Sequence, residues 1–104
     1  MKLLEDEKLY LADHFTMTEL VHRMGTNKRY LNEVISQSRY DTFYNLINTL
    51  RIDNACRMLK NDCDAKLETV ALASGFSSGS AFSQVFKKIK GITPREYIEK
   101  IALE

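Results

Sequence analysis

The apolar residues of this chain recur at intervals of three and four positions through most of its length, which is the spacing of an amphipathic α-helix. No stretch alternates apolar and polar residues for long enough to predict a β-strand. The pattern therefore predicts an all-α fold with seven helices, of which 43–60 is the longest. The predicted ranges are 5–13, 17–24, 27–37, 43–60, 67–74, 79–89 and 95–103.

Two threonines mark predicted helix starts. Thr16 precedes Glu19 by three residues, and Thr93 precedes Glu96 by three, which is the capping-box spacing. In that motif the threonine and glutamate side chains each accept a hydrogen bond from the other's backbone amide. Pro94 then falls at the first helical position, where its missing N–H costs nothing.

Residues 19–35 and 69–86 form an internal repeat. Each copy has a short helix, a turn that contains Gly25 or Gly75, and a second helix whose apolar residues lie three and four apart. With one residue inserted in the second turn, the aligned pairs are Leu31 with Phe82, Val34 with Val85, and Ile35 with Phe86. This is the helix-turn-helix pattern, in which the outer face of the second helix can enter a DNA major groove.

The apolar positions of the repeat are expected to form the core. They are Leu20, Val21, Met24, Leu31, Val34, Val70, Ala71, Phe82, Val85 and Phe86. The helix at 43–60 spans roughly 27 Å at 1.5 Å per residue, so it could join two subdomains or be the central helix of one bundle. These two interpretations are compatible. Arg51 lies in an apolar stretch of that helix, so we expect it to bond carbonyls or an acid between subdomains.

The size and composition fit one globular domain. The chain has 104 residues, of which 44% are hydrophobic and 28% charged, which excludes a disordered tail. No apolar run reaches the roughly eighteen residues of a membrane-spanning helix, and the acidic start Glu5-Asp6-Glu7 does not fit a signal peptide. Two cysteines make no disulfide framework. We therefore expect a cytoplasmic location and no membrane contact by this segment.

The net charge of +1 is too small to indicate nucleic-acid binding by itself, but its distribution is uneven. Residues 26–40 carry a net charge of +2, and residues 77–91 carry +3 with no acidic residue. Each positive segment overlaps the second helix of one repeat copy.

A resemblance to a known family is carried mainly by the second half of the chain. The matching residues are Arg51-Ile52-x-x-Ala55, Val70-Ala71-x-x-Ser74-Gly75-Phe76-Ser77, Phe82-Ser83-x-Val85-Phe86-Lys87-Lys88 and Gly91-x-Thr93-Pro94-x-x-Tyr97. From about Phe15 to Tyr97 the chain resembles the DNA-binding domain of the AraC/XylS family of bacterial transcription regulators.

The resemblance implies a single domain over residues 1–104 with two helix-turn-helix subdomains. These would occupy about 5–40 and 64–104, joined by a linker helix at about 43–60. It further implies that the domain is monomeric and places two recognition helices in successive major grooves on one face of the DNA. Family members usually carry an effector or sensor domain before this part, so we expect one on the full-length chain. RNA polymerase would be a partner if the regulator is an activator.

The sequence departs from the family pattern near both recognition helices. The first ends with Ser38-Arg39-Tyr40-Asp41, without the usual glycine. In the second copy, Ser78-Gly79 replaces the common Asp-Pro or similar pair at the turn, and Ala81 and Gln84 stand where an aromatic residue and an arginine are usual. These differences bear on the affinity and base preference of the second helix and leave the predicted fold unchanged.

Polar residues on the outer faces of the two recognition helices are the candidate DNA contacts, and the alternative is an ordinary solvated surface. The candidates are Lys28, Arg29, Asn32 and Glu33 on the first, and Ser78, Ser80, Ser83, Gln84 and Lys87 on the second. Arginine suits guanine, and asparagine or glutamine suits adenine. We expect the phosphate contacts to come from Arg39, Lys88 and Lys90. Glu33 either accepts a hydrogen bond from the amino group of a cytosine or pairs with Arg29, four residues earlier, and fixes the position of its guanidinium.

Other kinds of site are not indicated. His14, His22, Cys56 and Cys63 lack metal-ligand spacing, and the sequence has no catalytic arrangement or glycine-rich phosphate loop. We therefore expect no metal, no cofactor and no enzyme activity. The leading hypothesis is sequence-specific binding of double-stranded DNA in a transcription regulator. The alternative is a helical protein-interaction module of the same fold that has lost DNA affinity, an interpretation supported by the near-neutral charge, by Glu33 on the reading face and by the missing arginine at Gln84.

Overall fold

The chain folds into α-helices connected by short turns. A computed structural model describes residues 8–12 and 14–103, and in this part of the chain there is no β-strand. The helices are α1 (Met17–Met24), α2 (Lys28–Ser36), α3 (Phe43–Asn61), α4 (Leu67–Ala73), α5 (Gly79–Lys90) and α6 (Pro94–Ala102). The predicted all-α fold class is confirmed, and these six helices lie within one residue of their predicted ends.

The predicted helix at 5–13 is wrong where it can be compared. Leu9–Leu11 form a single 3-10 turn, and residues 5–7 and 13 lie outside the described part of the chain. The carbonyl of Tyr10, which a continuing α-helix would offer to an amide four residues later, accepts instead from Nε of Arg51 at 2.6 Å. The described residues thus contain six α-helices and one 3-10 turn where seven helices were predicted.

Two clusters of buried apolar residues lie along the molecule, and α3 contributes to both. The first half of α3 packs with the 3-10 turn, α1 and α2 around Tyr10, Phe15, Leu20, Leu31, Ile35, Leu46, Ile47 and Leu50. Its second half packs with α4 and α5 around Ile52, Ala55, Cys56, Leu59, Val70, Ala71, Phe76, Phe82 and Phe86. A single helix therefore connects two cores and is also a wall of each.

Most of the predicted core residues are buried or partly buried, with two exceptions. Met24 and Val34 are each 41% exposed, so their assignment to the core is wrong. In α2 the residues that point inward are Leu31 and Ile35, and Val34 lies about 100° around the helix from Ile35, at the edge of the buried stripe. Its counterpart Val85 is only partly buried, but it packs against the second cluster.

Arg51 is buried at the junction between the two clusters. Its Nε and Nη2 donate to the carbonyls of Tyr10 and Ala12, each at 2.6 Å. The guanidinium carbon also lies 5.8 Å from the ring centroid of Phe76, which belongs to the second cluster. The predicted structural role of Arg51 is confirmed: it bonds carbonyls, and it does so where the two cores meet.

Gly75 lies directly before Phe76 and has no room for a side chain. Its φ of +95° is in the left-handed region that glycine favours. A Cβ at this position would lie 2.6 Å from the carbonyl oxygen of Tyr10 and 2.9 Å from that of Leu11. The turn of the second helix-turn-helix therefore packs backbone against backbone on the segment that Arg51 holds.

We expect Gly75→Ala to destabilise the domain more than Gly25→Ala. Gly25 also has a positive φ, +66°, but a Cβ there would meet nothing within 4 Å. Gly25→Ala should therefore cost only the left-handed strain, about 1 kcal/mol, whereas Gly75→Ala adds a steric overlap with backbone and should cost about 2–4 kcal/mol. Urea unfolding of the three proteins measures both losses. Equal losses would contradict the close packing at Gly75.

The start of α6 has a complete capping box, as predicted. The carboxylate of Glu96 accepts from the backbone N–H of Thr93 at 2.9 Å, and the Thr93 hydroxyl accepts from the N–H of Glu96 at 3.1 Å. At α1 the Thr16 hydroxyl accepts from the N–H of Glu19 at 3.3 Å. The pKa of the Glu96 carboxyl lies below its ordinary 4.5, first because the backbone N–H of Thr93 donates to the carboxylate and second because the Thr93 side chain also bonds it. The positive charge of Lys87 lowers this pKa further.

This lowered pKa predicts a pH-dependent contribution to stability. A carboxylate with a lower pKa in the folded state stabilises the fold above its unfolded pKa, and this contribution disappears as the pH falls through the folded pKa. The wild type should therefore unfold at a higher urea concentration than Glu96→Gln at pH 7, and the difference should shrink as the pH falls below 4.5. Glu99→Gln, further along α6, controls for the loss of one surface charge. A difference that does not vary with pH would argue against this linkage.

Candidate nucleic-acid interface

The two copies of the sequence repeat have the same local construction. In each, a helix is followed by a left-handed glycine, Gly25 or Gly75, and by a second helix with a side-chain N-cap. The Asn27 side chain accepts from the N–H of Tyr30 at 2.9 Å at the start of α2, and the Ser78 hydroxyl accepts from the N–H of Ala81 at 3.1 Å at the start of α5. The chain thus contains two helix-turn-helix units, with α2 and α5 as the second helix of each, which are the predicted recognition helices.

The inner faces of α2 and α5 are apolar and equivalent. Leu31 and Ile35 of α2 are buried in the first cluster, and Phe82 and Phe86 of α5 are buried in the second. These are the aligned pairs of the repeat. Because the inner faces correspond, the opposite faces must correspond as well, position by position.

Every candidate DNA contact is exposed to solvent. On α2 these residues are Lys28, Arg29, Asn32 and Glu33, and at or on α5 they are Ser78, Ser80, Ser83, Gln84, Lys87, Lys88 and Lys90, with Arg39 in the turn after α2. Ser78 has a structural role in addition, since its hydroxyl caps α5. The structure brings these residues onto two recognition-helix surfaces, and their contact with DNA stays a prediction.

The sequence reasoning passed over two residues of the α2 surface. Gln37 is exposed and lies four residues after Glu33, on the same side of the helix, where the repeat alignment pairs it with Lys88. Tyr30 is 57% exposed and is not among the predicted contacts. Extending the repeat alignment by two positions would have identified Gln37, whereas no signal in the sequence distinguished Tyr30 from a core aromatic.

Arg29 and Glu33 form an ion pair on the surface of α2. The Nε of Arg29 lies 3.7 Å from Oε1 of Glu33, and both side chains are largely exposed. An exposed pair of this kind contributes only a few tenths of a kcal/mol to stability. Its structural effect is to restrict where the Arg29 guanidinium points.

The turn after α2 contains a second restrained cation. Nη2 of Arg39 donates to the Tyr40 hydroxyl at 2.7 Å, and the guanidinium lies 4.9 Å from the centroid of the same ring. The next residue, Asp41, has a φ of +69°. The repeat alignment pairs Gly91 with Tyr40, so the left-handed residue of this turn lies one position later, at an aspartate, which tolerates that conformation better than most residues.

The electrostatic character of the two surfaces differs. The last turn of α5 carries Lys87, Lys88 and Lys90, and residues 77–91 contain no acid. On α2 the cations Lys28 and Arg29 share the surface with Glu33. The second unit is therefore the more strongly positive of the two.

Across residues 8–12 and 14–103, no three His, Cys, Asp or Glu side chains come together as a metal site would require. Among the helices of these residues, none has the length and apolar character needed to cross a membrane.

Comparison with known proteins supplies the family. A family model described as a helix-turn-helix domain matches residues 20–100, which include both units and the helix between them. The chain belongs to the AraC/XylS family of helix-turn-helix regulators. The family resemblance noted in the sequence is thereby confirmed.

Individual members of the AraC/XylS family match most of the chain. It is 34% identical over 88 residues to the TCP pilus virulence regulatory protein of Vibrio cholerae, a match that covers 85% of this chain and 31% of the relative. It is 29% identical over 92 residues to the melibiose operon regulatory protein of Escherichia coli, covering 85% of this chain and 30% of the relative. The chain thus spans about a third of the length of these curated relatives.

A solved structure shows the same fold. The C-terminal domain of AraT, a response regulator from Geobacillus stearothermophilus, superposes with a TM-score of 0.80 at 22% sequence identity. The match covers 89% of this chain and 76% of that one.

Proposed function

We propose that this domain binds double-stranded DNA in a sequence-specific manner, as the DNA-binding part of a bacterial transcription regulator, with α2 and α5 in successive major grooves. The observation that carries the proposal is the pair of equivalent helix-turn-helix units with exposed polar outer faces in a member of the AraC/XylS family. Family and fold are those of transcription regulators, which are not enzymes.

The dimensions of the molecule support a two-groove arrangement. A major groove is about 12 Å wide and accepts an α-helix, and successive turns of one groove on the same DNA face lie about 34 Å apart. The molecule measures 44 × 22 × 22 Å, so its long axis spans the distance between two successive turns of the groove but not between three. The rigid α3 between the units would fix their spacing.

The candidate residues divide by chemistry into base-reading and phosphate-binding groups. Arg29 suits the acceptor pair of guanine, and Asn32 and Gln84 suit the donor-acceptor pair of adenine. The shorter hydroxyls of Ser80 and Ser83 bond either kind of base edge. Arg39, Lys88 and Lys90 bind phosphates, and such contacts fix the register of the protein on the DNA without reading its sequence. Lys28 and Lys87 lie at the borders of the two surfaces, within reach of either bases or phosphates.

The role of Glu33 is to position Arg29. A carboxylate facing DNA is repelled by the phosphates, and this cost is acceptable only if it increases discrimination between bases. The ion pair with Arg29 in the free protein supports positioning over direct recognition of cytosine. A guanidinium that is already oriented loses less entropy when it bonds a guanine.

Further partners belong to the whole regulator. We expect the full-length chain to carry an effector or sensor domain, to act in the cytoplasm and, if it is an activator, to contact RNA polymerase.

A second candidate function is a protein-interaction module without DNA affinity, which is favoured by the exposed Tyr30 and Val34, four residues apart on α2. An electrophoretic shift on random duplex DNA at low salt separates the two, because only the DNA-binding domain retards the duplex.

The two-groove arrangement predicts strict spacing of the binding site. Selection from randomised duplexes should yield two short elements about 34 Å apart. Inserting five base pairs between them turns one element to the far side of the duplex, and binding should fall to the level of random DNA. The same five base pairs placed outside the site serve as the control. Full affinity for the internally lengthened site would overturn the model.

The positioning role of Glu33 predicts that removing its side chain increases non-specific affinity and decreases specificity. Glu33→Ala should raise affinity for random DNA, since one repulsive charge is removed, and should narrow the ratio between selected and random sites. The discrimination should be lost at the base that Arg29 reads, and a double-mutant cycle with Arg29→Ala should show strong coupling. If discrimination is lost at a cytosine and the two substitutions show no coupling, Glu33 reads that base directly. An unchanged affinity and base preference would mean that Glu33 is merely solvated.

A further inference from the structure

An open groove of about 680 Å³ runs along the outer side of α5 and the start of α6. Its lining comes from three helices and from the residue that caps α6. The lining residues are Leu67, Ser83, Gln84, Lys87, Lys88, Thr93, Pro94 and Arg95. Since Ser83 and Gln84 are candidate base-reading residues, the groove is continuous with the reading surface of α5.

The cations of the groove come from two different helices. Lys87 and Lys88 belong to the last part of α5, and Arg95 is the second residue of α6. All three are exposed, and no acidic residue lines the groove with them. The groove therefore has positive charge on both of its walls.

The two acids of α6 do not line the groove. The carboxylate of Glu96 accepts from the N–H of Thr93 in the capping box. Glu99 lies one turn beyond Arg95 and lines a neighbouring groove together with Lys66 and Arg95. Neither carboxylate lines the groove beside Gln84.

We propose that this groove holds the DNA backbone where it leaves the second recognition helix, with one phosphate bound between the lysines of α5 and Arg95 of α6. The proposal rests on the DNA-binding function proposed above and adds Arg95 to the contacts. A strand whose bases meet Ser83 and Gln84 continues into the groove that these residues share with Arg95. Leu67 and Pro94 give that groove an apolar surface against which a deoxyribose can pack.

The first unit has a different residue at the position of Arg95. There α3 begins after the N-cap Thr42, as α6 begins after the N-cap Thr93, so Tyr44 takes the position that Arg95 has in the second unit. Tyr44 is 62% exposed, and its phenol offers a hydroxyl where the second unit has a guanidinium. The phosphate site at Arg95 is thus a property of the second unit.

The first test measures affinity as a function of salt. Arg95→Ala should weaken binding several-fold for a duplex selected by the wild type and for a random duplex alike, and the slope of log K against log salt should become shallower by up to about 0.9, since only the α5 lysines remain beside that phosphate. Arg95→Lys should keep the wild-type slope, since the positive charge at this position is retained. Lys100→Ala removes a cation about 140° around the same helix and should change neither quantity.

The second test identifies the phosphate. Single neutral methylphosphonate linkages are introduced along the selected duplex. One linkage at the outer flank of the second element should weaken wild-type binding at least as much as Arg95→Ala does, and should weaken Arg95→Ala by a smaller factor than it weakens the wild type. Lys88→Ala should show the same reduced sensitivity at that linkage. Additive losses at every linkage, or an Arg95→Ala protein with wild-type affinity and slope, would overturn the inference.

The two proposals fail in different ways. If the wild type shows no salt-dependent binding to any duplex, the DNA-binding function fails and this inference fails with it. If Gln84→Ala changes the base preference while Arg95→Ala changes neither affinity nor slope, only the groove assignment is wrong. Thermal unfolding of each variant confirms that an altered affinity does not arise from loss of fold.

Discussion

A buried guanidinium holds the two halves of this domain together. Arg51 donates to two carbonyls of the N-terminal segment and lies against the ring of Phe76, so one side chain of the connecting helix contacts elements of both clusters. Hydrogen bonds from a charged donor are worth about 1.5–3 kcal/mol each, and a buried carbonyl that loses its donor is left unsatisfied. The close backbone approach at Gly75 is possible only while that segment stays where Arg51 holds it.

The periodic parts of the fold could be predicted from the sequence. Six helices, the capping box at Thr93 and the structural role of Arg51 follow from spacing and residue type, because helix periodicity and N-capping are local properties. The helix prediction was wrong at Leu9–Leu11, where the carbonyl of Tyr10 accepts from Arg51, some forty residues away, and nothing local encodes that contact. The assignment of Met24 and Val34 to the core was wrong because both lie at the edge of the buried stripe, where the packing of neighbouring elements decides whether a side chain is covered.

The candidate interface was predictable to the same extent. The outer faces of α2 and α5 follow from the positions of the buried residues, so the exposed polar residues could be identified without the structure. What the sequence could not supply is the relation between separate elements. Arg95 lies on a different helix from Lys88, and only the packing of α6 beside α5 places them on one groove. Likewise the spacing of Arg29 and Glu33 permits an ion pair, but the geometry decides that it forms.

The contact between residues 10–11 and Gly75 has a consequence for protein engineering and for divergence within the family. A subdomain boundary drawn in the middle of α3 would separate the turn at Gly75 from the segment against which it packs. A chimaera that imports a second unit with a larger residue at 75 must also import a compatible segment at the amino-terminal end. The module that can be exchanged intact is therefore discontinuous in sequence, and residues 51 and 75, whose side-chain positions meet, are expected to change together or not at all.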